Sequence, residues 1–473
     1  MRLLGPAVLA VVGAVVAVSS AGPVEAEERA ATLTVSSPGA YGQPGTLRVR
    51  PPASAGTLDL ALREDVCFQA IDGFGGAFNE QGWDALAVLD ESRRDSALRL
   101  LFASQDSARF RFGRVPIGAS DYALSRYTLD DQPGDFALDH FSIERDRGLL
   151  IPYVRAALVH RPELWLWASA WTPPPWMKAT GAYDSGAMRG DAPTLDAYAR
   201  YLARFVESYR DEGLTIQAVH VQNEPEVETH YPSCAWTPEL IRNFVRDHLG
   251  PRFAERDLAA EIWLGTLSTS NPRYPAVVLG DPGARSVIRG IGVQWGALDM
   301  VPELLAIQPP LPLMQTETAC GNHHWEPGFD PDRPPNDQAY GEFTWGRMRA
   351  YLEAGVRSYM AWNMVLDEEG KNLDSVRPWP QNALLVVDRD EARLTVTPAY
   401  WAFRHFSGFI DAGAVRVGLR GSYQDALAFR NPDGGLVLVL QNATNRARAL
   451  TLGVPGAELE VDLPAHGWAT ITY

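Results

Sequence analysis

The sequence predicts an α/β fold, a (β/α)8 TIM barrel with an attached β-sandwich built from N- and C-terminal segments. Three observations predict it. Between about residues 70 and 400, short apolar runs alternate with longer helical patterns, as repeated β-α units around a parallel sheet require. Both flanks, 30–66 and beyond 401, carry short alternating pieces broken by Pro/Gly turns and read as β. The glycine-rich stretch Gly73-Phe74-Gly75-Gly76 lacks the G-x-G-x-x-G spacing of a dinucleotide loop, which argues against an open doubly wound sheet.

Taken in order, Met1-Arg2 precedes an apolar run, Leu3 to Val18, and a small-residue exit, the pattern of a secretory signal. Cleavage after Ala21 or after Ala26 fits equally. The run is short against the ~20 residues of a membrane span, so export is favoured over an uncleaved anchor. The expected location is secreted or extracytoplasmic, with no stable membrane span. Thr32–Val35 and Leu47–Arg50 then read as strands. An opening barrel strand near Ala70–Gly73 is followed by Arg109–Ile117, Leu164–Ser169, Ile216–Gln222, Glu261–Leu264, Ile288–Trp295, Leu311–Thr316 and Ser358–Trp362.

The intervening helices carry clearer marks. Leu195, Tyr198, Leu202, Phe205, Val206 and Tyr209 form an apolar stripe that ends at Gly213. Thr237-Pro238-Glu239 supplies an N-cap, a first-turn proline and a first-turn acid for a second helix, expected to close at Gly250-Pro251. Past 401, Ala426–Arg430 and Leu436–Gln441 flank Asn431-Pro432-Asp433-Gly434-Gly435, a hairpin signal, and Trp468–Tyr473 is a last strand. The expected division is a signal peptide at 1–26, an N-terminal β segment of the sandwich at 27–66, the barrel at 67–400 and the C-terminal sandwich at 401–473.

Composition bounds the function. The chain has 473 residues, 46% hydrophobic and 21% charged, as folded soluble proteins do. Its net charge is −16 and no segment supplies a concentrated basic face, so nucleic acid and anionic membrane surfaces are poor partners. Lysine chemistry has two seats only, Lys178 and Lys371. Cys67, Cys234 and Cys320 are too few for a zinc cluster and allow at most one disulfide.

In a barrel of this kind, functional side chains project from the carboxyl ends of the strands. Strand two offers Arg114 and, just beyond, Asp121. Strand three offers Trp171, strand four Asn223-Glu224, strand six Gln294-Trp295, strand seven Glu317 and strand eight Trp362. Two glutamates across one barrel face are what glycoside cleavage needs: one carboxyl protonates the leaving oxygen, the other attacks the anomeric carbon or activates water. Tryptophans suit the apolar faces of a pyranose, Asn, Asp and Arg bond its hydroxyls, and an arginine near one glutamate holds it ionised.

Other features read as structural. Trp165 and Trp167 alternate along strand three and are expected to pack the barrel. His323-His324 has no third ligand at metal spacing. Asp130-Asp131 reads as a solvated loop and Cys320 as a buried thiol. Asn442-Ala443-Thr444 is a glycosylation sequon with meaning only in a eukaryotic host.

Six segments in the same order resemble glycoside hydrolase family 30, the glucosylceramidase-like clan A retaining β-glycosidases. They are Ile71–Phe78, Gly118–Tyr122 with Tyr127–Asp131, Trp167–Lys178, Gln222–Pro225, Thr316–Cys320 and Trp362–Asp367. The resemblance implies a retaining mechanism with Glu224 as acid/base and Glu317 as nucleophile. It also implies sugar-binding roles for Asp121, Trp171, Asn223 and Trp362, and the side sandwich.

Two departures stand out. Gln294-Trp295-Gly296 occupies the place of a His-Trp-Tyr in many members, whose tyrosine bonds the nucleophile, and Asn79-Glu80 replaces Thr-Asp of the glucosylceramide-cleaving members. The expectation is a secreted enzyme acting on a carbohydrate or glycoconjugate without metal or organic cofactor. The substrate would be a β-linked glucoside, fucoside, galactoside or xyloside, or a β-1,6-glucan, cleaved through a glycosyl-enzyme intermediate. The alternatives are a non-catalytic carbohydrate-binding barrel, which both glutamates argue against, and a metal-dependent hydrolase, whose ligand sets are missing. Oligomeric state leaves no mark in the sequence.

Overall fold

The computed structural model describes residues 31–52, 58–377 and 380–473; the expected leader at 1–26 lies outside them. Eight parallel strands close into a barrel, numbered β1 (Gly73–Ala77), β2 (Phe112–Ile117), β3 (Trp165–Ala170), β4 (Ile216–His220), β5 (Glu261–Leu267), β6 (Ile288–Val293), β7 (Leu313–Gln315) and β8 (Ser358–Asn363). β8 pairs back onto β1 through Ser358–Gly73 and Tyr359–Phe74, closing the ring. Seven of the expected strands fall within three residues of these bounds.

The opening strand is the exception, displaced from Ala70–Gly73. Ala70 pairs with Val415 in the sandwich sheet. Three of the five residues of β1 are glycine, so it has few side chains to signal a strand. The glycines are dictated by space: a Cβ on Gly75 would fall 2.1 Å from the Phe112 carbonyl, and one on Gly76 2.3 Å from Met364.

The barrel interior below the site is filled by Phe112, Trp167, Trp263, Met314 and Met360, with Trp165 packed against them. Trp167 is thus a core residue and Trp165 a half-buried one packed against that core, so both serve barrel packing as their alternation predicts.

Strands from both ends of the chain build one ten-stranded sheet that forms the sandwich. Thr32–Ser37 pairs with Gly467–Thr472, and Leu60–Ala70 lies between Val415–Gly421 and Arg448–Val454. The expected hairpin is present as Ala426–Arg430 against Leu436–Asn442. This last strand reads Leu-Val-Leu-Val-Leu because both its faces are buried. Leu436, Leu438 and Leu440 enter the sandwich core, while Val437 and Val439 enter the core that the barrel shares. The strand Leu60–Ala70 continues past residue 66, and the helix Pro398–Ser407 spans residue 400.

The stripe from Leu195 lies on a helix, Ala192–Asp211, whose N-cap is Asp191. Thr237 caps the next helix by accepting from the Leu240 amide. That helix does not close at Gly250-Pro251. Val245–Leu249 form a π turn, in which the Gly250 amide donates to Val245, and an α-helix resumes over Gly250–Glu255. The wider turn accommodates the proline, which lacks an amide and would clash inside a regular helix.

Three other expectations are corrected or completed. Asp130 is buried rather than solvated, and burial pushes its carboxyl up to about 6. Asn442 is buried as well, donating its Nδ2 to the carbonyls of Arg446, Leu463 and Pro464, so the sequon offers no attachment point. All three cysteines are free; Cys320 is buried, and burial pushes its thiol up to about 12. Among the described residues no helix is long and apolar enough to cross a membrane.

Candidate active site

At the carboxyl ends of the strands lies a cavity of about 360 Å³, within the range of small-ligand sites. Of the nine residues singled out in the sequence, seven line it: Asp121, Trp171, Asn223, Glu224, Trp295, Glu317 and Trp362. The other two, Arg114 and Gln294, lie buried beneath it and hold the first group together.

Arg114 projects from β2 into the barrel. Its Nη1 donates to Glu317 Oε2 at 2.5 Å, its Nη2 to Asn223 Oδ1 at 2.7 Å and its Nε to Ser169 Oγ at 3.0 Å. The guanidinium also lies 4.2 Å from the ring centre of Trp171 and 5.5 Å from that of Trp362. Burial lowers its pKa against the pull of Glu317, yet a guanidinium stays protonated in any protein environment. The charge is therefore permanent, and it lies directly against the Glu317 carboxyl.

The second donor to Glu317 is the indole of Trp295, whose Nε1 donates to Oε1 at 2.8 Å. The absence of the expected tyrosine at Gly296 thus leaves the carboxylate bonded on both oxygens. Trp295 adopts the left-handed conformation, φ 48°, which costs a bulky residue about 1–3 kcal/mol. Its carbonyl is fixed by Arg347 at 2.6 Å and the Tyr351 hydroxyl at 3.0 Å, which hold that strained turn in place.

Glu224 is set differently. It too is left-handed, φ 47°, and its amide donates to the Thr266 carbonyl at 3.0 Å, tying it to β5. Its Oε1 accepts only a neutral donor, Gln294 Nε2 at 3.1 Å, and Gln294 is oriented by Thr316 Oγ1 at 2.8 Å. Burial first, then the charge of Glu317, push its pKa well above the carboxylate range. One glutamate is thus paired with a cation, and the other accepts from neutral donors only. Asn223 Oδ1 is filled by Arg114, by Thr266 Oγ1 at 2.8 Å and by Gln294 at 3.3 Å, which leaves the Nδ2 donors of this cavity-lining residue for a ligand.

Trp171 and Trp362 stack with centroids 5.1 Å apart. Asp121, beside Trp362, is raised to about 8 by burial and by Glu317, so its carboxyl is a donor as well as an acceptor near neutral pH. Asn79 and Glu80 lie outside the cavity: Asn79 caps a helix and donates to Asn363, and Glu80 pairs with Arg145 at 2.7 Å.

The sequence reading missed the cavity's outer wall. Tyr231, Trp325, Asn372, Arg377 and Gln381 all line it from long loops. Trp325 is 54% exposed and stacks on His323, centroids 4.7 Å apart and planes within 4°. It missed Glu226 too, a half-buried glutamate whose carboxyl accepts from the Ser268 amide at 3.1 Å and is raised to about 7 by desolvation.

Residues 71–410 match the TIM-barrel domain of glycosyl hydrolase family 30, and residues 413–471 match that family's beta sandwich domain. The chain belongs to glycoside hydrolase family 30. It is a family-30 O-glycosyl hydrolase of the retaining type, as the resemblance implies. Among curated relatives, it is 30% identical over 446 residues to the lysosomal acid glucosylceramidase of Mus musculus, covering 88% of this chain and 83% of that one. An endo-1,6-beta-D-glucanase of Neurospora crassa is 25% identical over 411 residues, 83% of this chain and 82% of the relative. The crystal structure of SrfJ from Salmonella typhimurium shares the fold with a TM-score of 0.84 at 24% identity, over 94% of this chain and 99% of that one.

Proposed function

We propose that this family-30 hydrolase cleaves β-glucosidic bonds by double displacement, with Glu317 as nucleophile and Glu224 as acid/base. The observation that carries the assignment is the unequal setting of the two glutamates: Glu317 lies between the Arg114 cation and the Trp295 indole, while Glu224 meets only neutral donors, the Gln294 amide and the Tyr231 hydroxyl. A carboxylate bonded by two fixed donors is poised to attack the anomeric carbon. A carboxyl held protonated can give its proton to the departing oxygen, and later take one from water. The Asn223 amide, Asp121 and the Trp171–Trp362 pair supply hydroxyl partners and an apolar face for the ring in the site.

A glucosyl ring is the substrate common to relatives named as glucosylceramidase and endo-1,6-beta-D-glucanase, which supports glucose over fucose, galactose or xylose. Nitrophenyl β-glycosides of all four sugars and a β-1,6-glucan, assayed side by side, test the sugar. Preference for any other sugar, with the glucan untouched, refutes that part. For the roles, Glu317→Ala should lose turnover and regain it with azide, which fills the vacated space and yields a glycosyl azide of inverted configuration. A rescue product of retained configuration would remove Glu317 from the nucleophile's place. Export from the cytoplasm, proposed from the leader at 1–26, is tested by N-terminal sequencing of protein secreted from an expressing cell.

A further inference from the structure

On the barrel's outer wall a second cavity, of about 240 Å³, shares no lining residue with the first. Four arginines converge on it. Arg200 and Arg204 stand one turn apart on the helix Ala192–Asp211, while Arg252 lies on the helix Gly250–Glu255 and Arg256 at its C-cap. Like charges at i,i+4 repel each other, and two such pairs here face each other across one space.

Each guanidinium is steadied by a bond that leaves most of its donors unspent. Arg200 donates Nη2 to the Phe136 carbonyl at 2.7 Å, and Arg204 donates Nη1 to the Leu138 carbonyl at 2.5 Å. Arg252 donates to Glu255 at 2.6 Å, and Arg256 to Glu207 at 2.7 Å. Every guanidinium carries five N–H donors. Two carboxylates against four guanidiniums leave a local excess of two positive charges, in a chain whose net charge is −16. No run of sequence shows this patch, because it is assembled from two helices.

We propose that this cavity binds a tetrahedral oxyanion, phosphate or sulfate, free or as an ester. Planar guanidinium forks meet such oxygens two at a time, and arginine is the side chain chosen for that geometry. The small volume admits the anionic group and the start of whatever carries it. The site is independent of the catalytic reading: none of its residues touches Glu224 or Glu317.

Thermal unfolding and calorimetric titration of the full chain, with sodium phosphate against sodium chloride at matched ionic strength, test it. Wild type should melt higher in phosphate. The double variant Arg204→Gln/Arg252→Gln, one change on each helix, should lose at least about tenfold in phosphate affinity, or ~1.4 kcal/mol. Arg252→Gln alone, whose partner is a surface carboxylate, should lose part of it and guards against a folding defect in the double variant. Hydrolysis of a nitrophenyl glycoside should be unchanged in both.

Sedimentation with phosphatidylglycerol vesicles against phosphatidylcholine vesicles separates the sources. Arginine-dependent sedimentation with the anionic vesicles alone assigns a lipid headgroup, and a phosphate response without it assigns a soluble anion. Equal melting in phosphate and chloride, or a phosphate response that survives in the double variant, overturns the proposal.

Discussion

At the scale of single residues, the indole N–H of Trp295 and the carboxyl of Glu226 are the groups whose removal is most informative. Trp295→Phe keeps a ring in the same strained turn and deletes one donor to Glu317. A hydrogen bond to a charged group is worth about 1.5–3 kcal/mol, so kcat/KM should fall about ten- to a hundredfold; an unchanged value would mean that Arg114 alone suffices. Glu226 adds negative charge near Glu224 and helps to raise its pKa. Glu226→Gln removes that repulsion, so Glu224 should lose its proton at lower pH. The alkaline limb of the kcat/KM profile should move down in pH while the acid limb stays, and an alkaline limb that does not move rules the coupling out. Glu224 and Glu317 were legible in the sequence because strand ends can be counted. Tyr231 and Trp325 were not, because long loops without periodicity bring them to the cavity, and no spacing rule predicts where such loops return.

At the scale of elements, strands were legible wherever their side chains carried an apolar pattern, and β1 was displaced because it has almost none. One of its glycines and one on a helix give a paired test. Gly75→Ala places a methyl against the Phe112 backbone, which cannot swing aside as a side chain would. Overpacking of this kind costs about 1–3 kcal/mol, read as a lower Tm. Gly346, inside the helix Gln338–Ala354, has nothing within 4 Å of its Cβ position. Gly346→Ala should therefore raise stability by up to ~1 kcal/mol. If both changes moved Tm the same way, the steric reading of β1 would be wrong. The helix that continues through Gly250-Pro251 was illegible for a different reason. Proline ends most helices, and only the π turn before it, which leaves no composition signature, lets this one proceed.

At the scale of the whole molecule, the barrel and the sandwich are joined through the strand Leu436–Asn442, which feeds a core on each face. Two units that share a buried strand cannot melt separately. Calorimetry should show one transition with equal calorimetric and van't Hoff enthalpies, whereas two resolved transitions would show the cores to be independent. The pairing of the sheet's first and last strands in chain order has a further consequence, in time. Thr32 pairs with Thr472, and their hydroxyls lie 2.6 Å apart across 440 residues of chain. At a synthesis rate of ~5–20 residues per second, the first strand waits roughly 20–90 s for its partner. Throughout that interval Leu33 has no sandwich core to enter, and the strand's pairing edge is open to any neighbouring nascent chain. A ribosome that stalls late thus leaves more than a shortened sheet: it leaves an early strand unpaired, and a growing polypeptide in need of a chaperone until residue 472 has been made.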